Sequence, residues 1–156
     1  MQRRQFLKGT LAGGVVAVSV GAGLLTPRSV LAAWPVAAFE AKSVNDALSN
    51  LFGNNRVATS KDVEITAPEI AEDGSVVSVS VSTKIAGVTA ITLLTSTNSR
   101  PLVANFSFGQ NMKSYIATRI KMASTTDVVA IVKADNKMYT NKKSVKVTLG
   151  GCGGPG

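Results

Sequence analysis

Histidine is absent from these 156 residues, and cysteine occurs once, at position 152. Zinc and iron–sulfur centres usually draw three or four ligands from nitrogen and sulfur side chains, so neither can be assembled from this set and no cofactor is expected. A serine hydrolase triad needs an imidazole between nucleophile and acid, which removes that class even though Ser75, Ser78, Ser80 and Ser82 lie close together. A lone cysteine forbids an internal disulfide, leaving its thiol for reaction or for a bond to another chain. Aromatic residues are 5% of the chain, and the lysines are spread out apart from Lys142, Lys143 and Lys146, so nucleic acid is not expected as a partner. The nine acidic residues are scattered. None is paired at a spacing suited to acid–base work, and Asp73-Gly74 reads as a turn because no alternating acidic ligands follow it.

What is present begins with a leader. Residues 1 to about 32 combine a basic start (Arg3, Arg4, Lys8), an apolar stretch from Leu11 to Leu25 and a small-residue exit around Ala32-Ala33, the layout of a removable signal peptide. The apolar stretch falls short of the ~20 residues a membrane-spanning helix needs, so no membrane association is expected after cleavage. Arg3-Arg4-Gln5-Phe6-Leu7-Lys8 resembles the twin-arginine export motif, which implies transport of an already folded protein to the periplasm. With no metal site to fill beforehand, a protein partner bound before export is the better reason for that route. The formal charge is +8; removing residues 1–32 takes Arg3, Arg4, Lys8 and Arg28 and no acid, leaving 8 − 4 = +4. Half the basicity belongs to the leader.

The apolar fraction of 45% is enough for one globular core. Val44, Ala47, Leu48, Leu51 and Phe52 recur every three or four residues, with Phe39 five before Val44, and together they are read as one amphipathic helix from about Ala37 to Phe52, stopped by Gly53, within an N-terminal segment 33–53. From residue 62 the period becomes two. Val63 and Ile65 alternate with polar neighbours, as do Val77, Val79 and Val81 behind the Asp73-Gly74 turn. Further strands are expected at 88–95, 102–108, 115–122, 127–133 and 144–149, with turns at 97–101, 109–111 and 134–136. About seven short strands over 54–149 predict an all-β fold, an immunoglobulin-like antiparallel sandwich of two sheets, although Trp34 and Cys152 both fall outside it and cannot supply an antibody-type core. Phe106, Phe108, Tyr115, Met122 and Met138 read as core or interface contacts.

Residues 150–156, Gly-Gly-Cys-Gly-Gly-Pro-Gly, mount the thiol on a glycine arm. A structural cysteine packs as a small hydrophobe, and this one has no apolar neighbour in its own segment, so its value is chemical. At ~3.3–3.6 Å per extended residue, the three residues from Gly150 to Cys152 carry sulfur about 10 Å beyond Leu149. Glycine on both sides gives the arm only backbone width, suited to a narrow channel. No basic residue neighbours Cys152 in the arm, and an ordinary thiol with a pKa near ~8.5 is only a few per cent ionised at neutral pH. Covalent catalysis normally needs an adjacent base or a depressed pKa, so the protein reads as a carrier and not as an enzyme. The alternative is an exported structural or adhesion module cross-linked through an intermolecular disulfide at Cys152, although a floppy linker makes a poor staple.

The ending from Val145 to Gly154, with the Ala67–Gly74 segment and the twin-arginine leader, resembles the SoxY family, sulfur-carrier subunits of the bacterial thiosulfate-oxidising system. The resemblance runs from the leader to the last residue. It implies a heterodimer with a SoxZ-like subunit and covalent attachment of thiosulfate-derived sulfur to Cys152, with Gly150, Gly151, Gly153 and Gly154 as the swinging arm. It further implies three partner enzymes: a c-type cytochrome that couples thiosulfate to the thiol, a hydrolase that releases sulfate, and a molybdenum-containing sulfane dehydrogenase.

Overall fold

The computed structural model describes residues 35–151; the leader with Arg3 and Arg4, Trp34, and the stretch holding Cys152, Gly153 and Gly154 lie outside the described residues. Within them the chain forms α1 (Val36–Glu40), α2 (Val44–Phe52), β1 (Ala58–Thr59), β2 (Val63–Thr66), β3 (Ile70–Asp73), β4 (Val77–Thr83), β5 (Val88–Thr95), β6 (Leu102–Ser107), β7 (Tyr115–Ile120), β8 (Thr126–Ala134) and β9 (Lys137–Leu149).

Two sheets result. One runs β1-β9-β8-β5-β6, with β3 added along β9; the other runs β2-β4-β7. The valine–serine alternation of β4 turns Val77, Val79 and Val81 inward, where they meet Ile91 and Leu93 of β5, Val128, Ala130 and Val132 of β8, and Val145 and Val147 of β9. This is the two-sheet β-sandwich that the alternation predicts. β5 and β8 are buried on both faces, because Leu94 and Ile131 point the other way and pack with Ala38, Ala47 and Leu48 of the helices. Their near-continuous apolar runs reflect that double cover. The two sheets are also tied by Asn141 on β9, whose Nδ2 donates to the Val63 carbonyl at 2.6 Å.

Three expectations need correction. The single helix over 37–52 is broken at Ala41–Ser43, because Ser43 is an N-cap: its backbone is extended and its Oγ accepts from the Asp46 N–H at 3.1 Å. Ser43 and Asp46 form a start signal three residues apart, with the acid in the first turn where the helix dipole favours it. Gly53 does end the helix, in the left-handed region at φ 76°, with its N–H bonded to Ser49 O at 2.9 Å. The last strand begins at Lys137, not Ser144, since the two-residue turn at Asp135-Asn136 carries the β8–β9 ladder straight into the polar stretch 137–143. Finally, the sheets are not wholly antiparallel: β1 and β3 each pair parallel with β9.

The aromatic and methionine readings separate. Met122 and Met138 are buried, and Phe106 and Phe108 pack half-buried against the core, whereas Tyr115 is 49% exposed on the edge strand β7. Lys142, on the solvated side of β9, pairs with Asp127 at 3.2 Å.

Candidate functional site: the root of the glycine arm

β9 leads into the arm alongside β3, with Ala71 opposite Val147 and Asp73 opposite Leu149. Where the pair ends, three backbone hydrogen bonds join chain segments far apart in sequence. The Gly74 N–H donates to the Leu149 carbonyl at 2.7 Å, the Met122 N–H donates to the Gly74 carbonyl at 2.7 Å, and the Gly151 N–H donates to the Met122 carbonyl at 2.8 Å. Gly74 and Gly150 are buried and Gly151 is half-buried. The first two residues of the arm therefore belong to the folded body, and the arm leaves the described structure at Gly151 and not at Leu149.

Glycine is required here by close approach. A Cβ on Gly74 would run into the Met122 carbonyl oxygen and stand 2.8 Å from Val147 Cγ1 and 2.9 Å from the Gly151 nitrogen. One on Gly151 would stand 2.7 Å from the Gly74 carbonyl oxygen and 2.9 Å from Lys121 Cγ. Two glycines, one in a turn and one in the arm, thus face each other across a gap that admits no side chain.

Side chains hold the other parts of this junction. Asn98, in the turn between β5 and β6, brackets the loop after β7: its Nδ2 donates to the Lys121 carbonyl at 3.0 Å and its Oδ1 accepts from the Ala123 N–H at 3.0 Å. Thr125 Oγ1 accepts from the Val147 N–H at 3.0 Å, tying the same loop to β9. The Met122 side chain anchors the loop in the core. Asp73 Oδ1 accepts from the Ser75 N–H at 2.7 Å, closing the turn in which Gly74 sits. That backbone hydrogen bond, with a smaller contribution from the Ser75 hydroxyl, holds the exposed Asp73 carboxyl below its ordinary pKa, since both stabilise the charged form.

Of the arm residues singled out from the sequence, Gly150 and Gly151 lie at this junction, and Cys152, Gly153 and Gly154 fall outside the described residues. Sequence reasoning missed Asn98, Met122 and Lys121 as neighbours of the arm and took Gly74 only as a turn former. The exposed side chain of Lys121 passes its Cγ beside Gly151, a neighbour that nothing in the arm itself announces. Among the described residues no cluster of three or more His, Cys, Asp or Glu side chains is placed to hold a metal ion. The outer face of the β2-β4-β7 sheet carries a shallow groove of about 480 Å³ lined by Thr66, Ser78, Ser80, Tyr115 and Arg119 among others, with a single charged group.

The model of the sulfur oxidation protein SoxY family matches residues 48–152, a stretch that starts within α2 and ends on the cysteine. The structure of the sulfur carrier protein SoxY from Chlorobium limicola f thiosulfatophilum is 40% identical, superimposes with a TM-score of 0.64, and is matched over 70% of this chain and 96% of its own. A chain from a study of T cell specificity and activation by the bacterial superantigen toxic shock syndrome toxin-1 is 10% identical, with a TM-score of 0.40 over 55% of this chain and 98% of that one. No curated protein matches the sequence significantly. A strand-rich body, a glycine junction at the end of its last strand and a family match running through the lone cysteine converge: the chain belongs to the SoxY family of sulfur oxidation proteins.

Proposed function

We propose that this protein is a covalent sulfur carrier in thiosulfate oxidation, loaded at Cys152 and processed there by partner enzymes. The observation that carries the proposal is the family match that reaches Cys152, one residue beyond the pinned Gly151. Loading joins the Cys152 thiolate to the terminal sulfur of thiosulfate. One S–S bond forms, each sulfur gives up one electron, and the two electrons leave through a c-type cytochrome. Hydrolysis then breaks the bond between the sulfane sulfur and the sulfonate, water supplies the fourth oxygen of sulfate, two protons are released, and a persulfide stays on Cys152. A sulfane dehydrogenase is the proposed consumer of that sulfur.

The chemistry of the chain fits a carrier better than a catalyst. With no histidine in the sequence, the thiol lacks the usual base, so its ionisation depends on the enzymes that receive it. Glycine on either side leaves room for a partner's walls to close around the sulfur. The handle for these encounters is the sandwich, assembled as a heterodimer with a SoxZ-like subunit, and the compartment is the periplasm, reached by the twin-arginine route through Arg3 and Arg4.

Replacement of the one thiol tests this reading. In a reconstituted system with the partner subunit and the thiosulfate-oxidising enzymes, Cys152→Ser is expected to abolish thiosulfate-dependent electron transfer while folding and partner binding persist. Full activity of that variant would end the proposal.

A further inference from the structure

We propose that Gly74, Met122 and Asn98 form a clamp that fixes where the arm leaves the domain, making Gly74 and Asn98 positioning residues for sulfur loading. The inference rests on the carrier reading above and adds residues outside the arm to it. Its basis is the set of three backbone bonds linking Leu149, Gly74, Met122 and Gly151, all between 2.7 and 2.8 Å. These bonds pass through a gap too narrow for a Cβ on either glycine. The Met122 loop would be a poor anchor if it were loose, but Asn98 bonds to it on both sides of Met122, through the Lys121 carbonyl and the Ala123 N–H. The strand end is held independently by Thr125 Oγ1 on Val147.

Unanchored glycine residues populate many backbone conformations, and those must be given up when a thiol they carry enters a partner's active site. Anchoring Gly150 and Gly151 removes two residues' worth of that disorder before the encounter. It also sets a single pivot next to Cys152, so that a partner docked on the body finds the sulfur within a small volume. The clamp acts on delivery of the thiol and leaves its intrinsic reactivity alone.

The test uses the full chain in complex with its partner subunit, uniformly ¹⁵N-labelled, comparing wild type with Gly74→Ala and Asn98→Ala. The second variant removes only two side-chain bonds and keeps the test alive should the first fail to fold. In the wild type the Gly151 amide is expected to be protected from hydrogen exchange, and in the variants to lose that protection while core amides such as those of Ile131 and Val132 keep theirs. Loading by the thiosulfate-coupling cytochrome is expected to fall roughly tenfold or more in kcat/KM, whereas the rate at which free iodoacetamide alkylates Cys152 stays the same. Variants that lose Gly151 protection yet load at the wild-type kcat/KM would overturn the positioning role, and an unprotected Gly151 in the wild type would overturn the clamp itself. A wild-type protein that thiosulfate never loads would overturn the carrier reading, and the positioning role with it, even with Gly151 fully protected.

Discussion

The middle of the sandwich and the root of the arm are held together by different means. β5 and β8 are secured by side chains on both faces: Leu93 and Val132 sink between the sheets while Leu94 and Ile131 sink beneath the helices. Gly74, Gly150 and Gly151 contribute no side chains, and what fixes them is a short run of backbone hydrogen bonds and the absence of any atom that would push them apart. Apolar burial is worth roughly 25 cal/mol per Å², so the body's stability is distributed over many residues and tolerates change at its rim. The arm root relies on a few bonds, each worth about 1 kcal/mol net, and a single methyl group is enough to open it. On the proposed carrier function, stability and delivery of the thiol rest mainly on separate sets of residues, which substitutions in each region can test.

The largest effect on stability is expected in the body. Leu93→Ala and Ile131→Ala each remove a fully buried side chain from opposite faces of the larger sheet and should cost about 2–5 kcal/mol, read from the urea midpoint. At temperatures where these variants remain folded, Cys152 should still be loaded at the wild-type rate. Gly74→Ala should cost less, about 1–3 kcal/mol by overpacking, with the loss of Gly151 protection confined to the arm root. If Gly74→Ala instead lowered protection throughout β5 and β8, the separation of the two regions would be lost.

Ser43→Ala removes the cap of α2 and should cost about 1 kcal/mol, visible in thermal melting and without effect on loading, since the helices cover the sheet face opposite the sandwich core. The smallest effect concerns acid. Asp73 has its folded pKa below the unfolded one, so its contribution is complete above the ordinary carboxylate pKa of ~3.9 and disappears as pH falls through the lower folded value. Wild type should exceed Asp73→Ala in urea midpoint at neutral pH, and the two should converge at the acid end of that window. An advantage that grew with acidity would contradict the assignment.

How much of this was legible in the chain follows the same division. The valines of β4 and the apolar runs of β5 and β8 announce themselves by period and composition, because burial selects side chains. β3 escaped notice: only Ala71 of its four residues is buried, Ile70 is 61% exposed, and its strand character comes from parallel pairing with β9. The polar start of β9, Lys137 to Lys143, was invisible for a similar reason, its structure being inherited from the hairpin. The cap at Ser43 could have been read from Ser43 and Asp46 and from the five-residue gap between Phe39 and Val44. Gly74 and Asn98 both stood out as turn formers, and a turn is all that local sequence can assign to them. Their contacts with the arm depend on Met122 and Gly151, which reach them only through the fold. Cys152 was conspicuous from composition alone, with its glycine neighbours.

The most direct measurement is the intact mass of the protein purified without reductant from cells oxidising thiosulfate. The account predicts a single-chain mass carrying additional sulfur and sulfonate units, lost on reduction and absent from Cys152→Ser. A doubled mass that reductant converts to the unmodified chain, with no sulfur adduct under any growth condition, would contradict it and identify Cys152 as a cross-link.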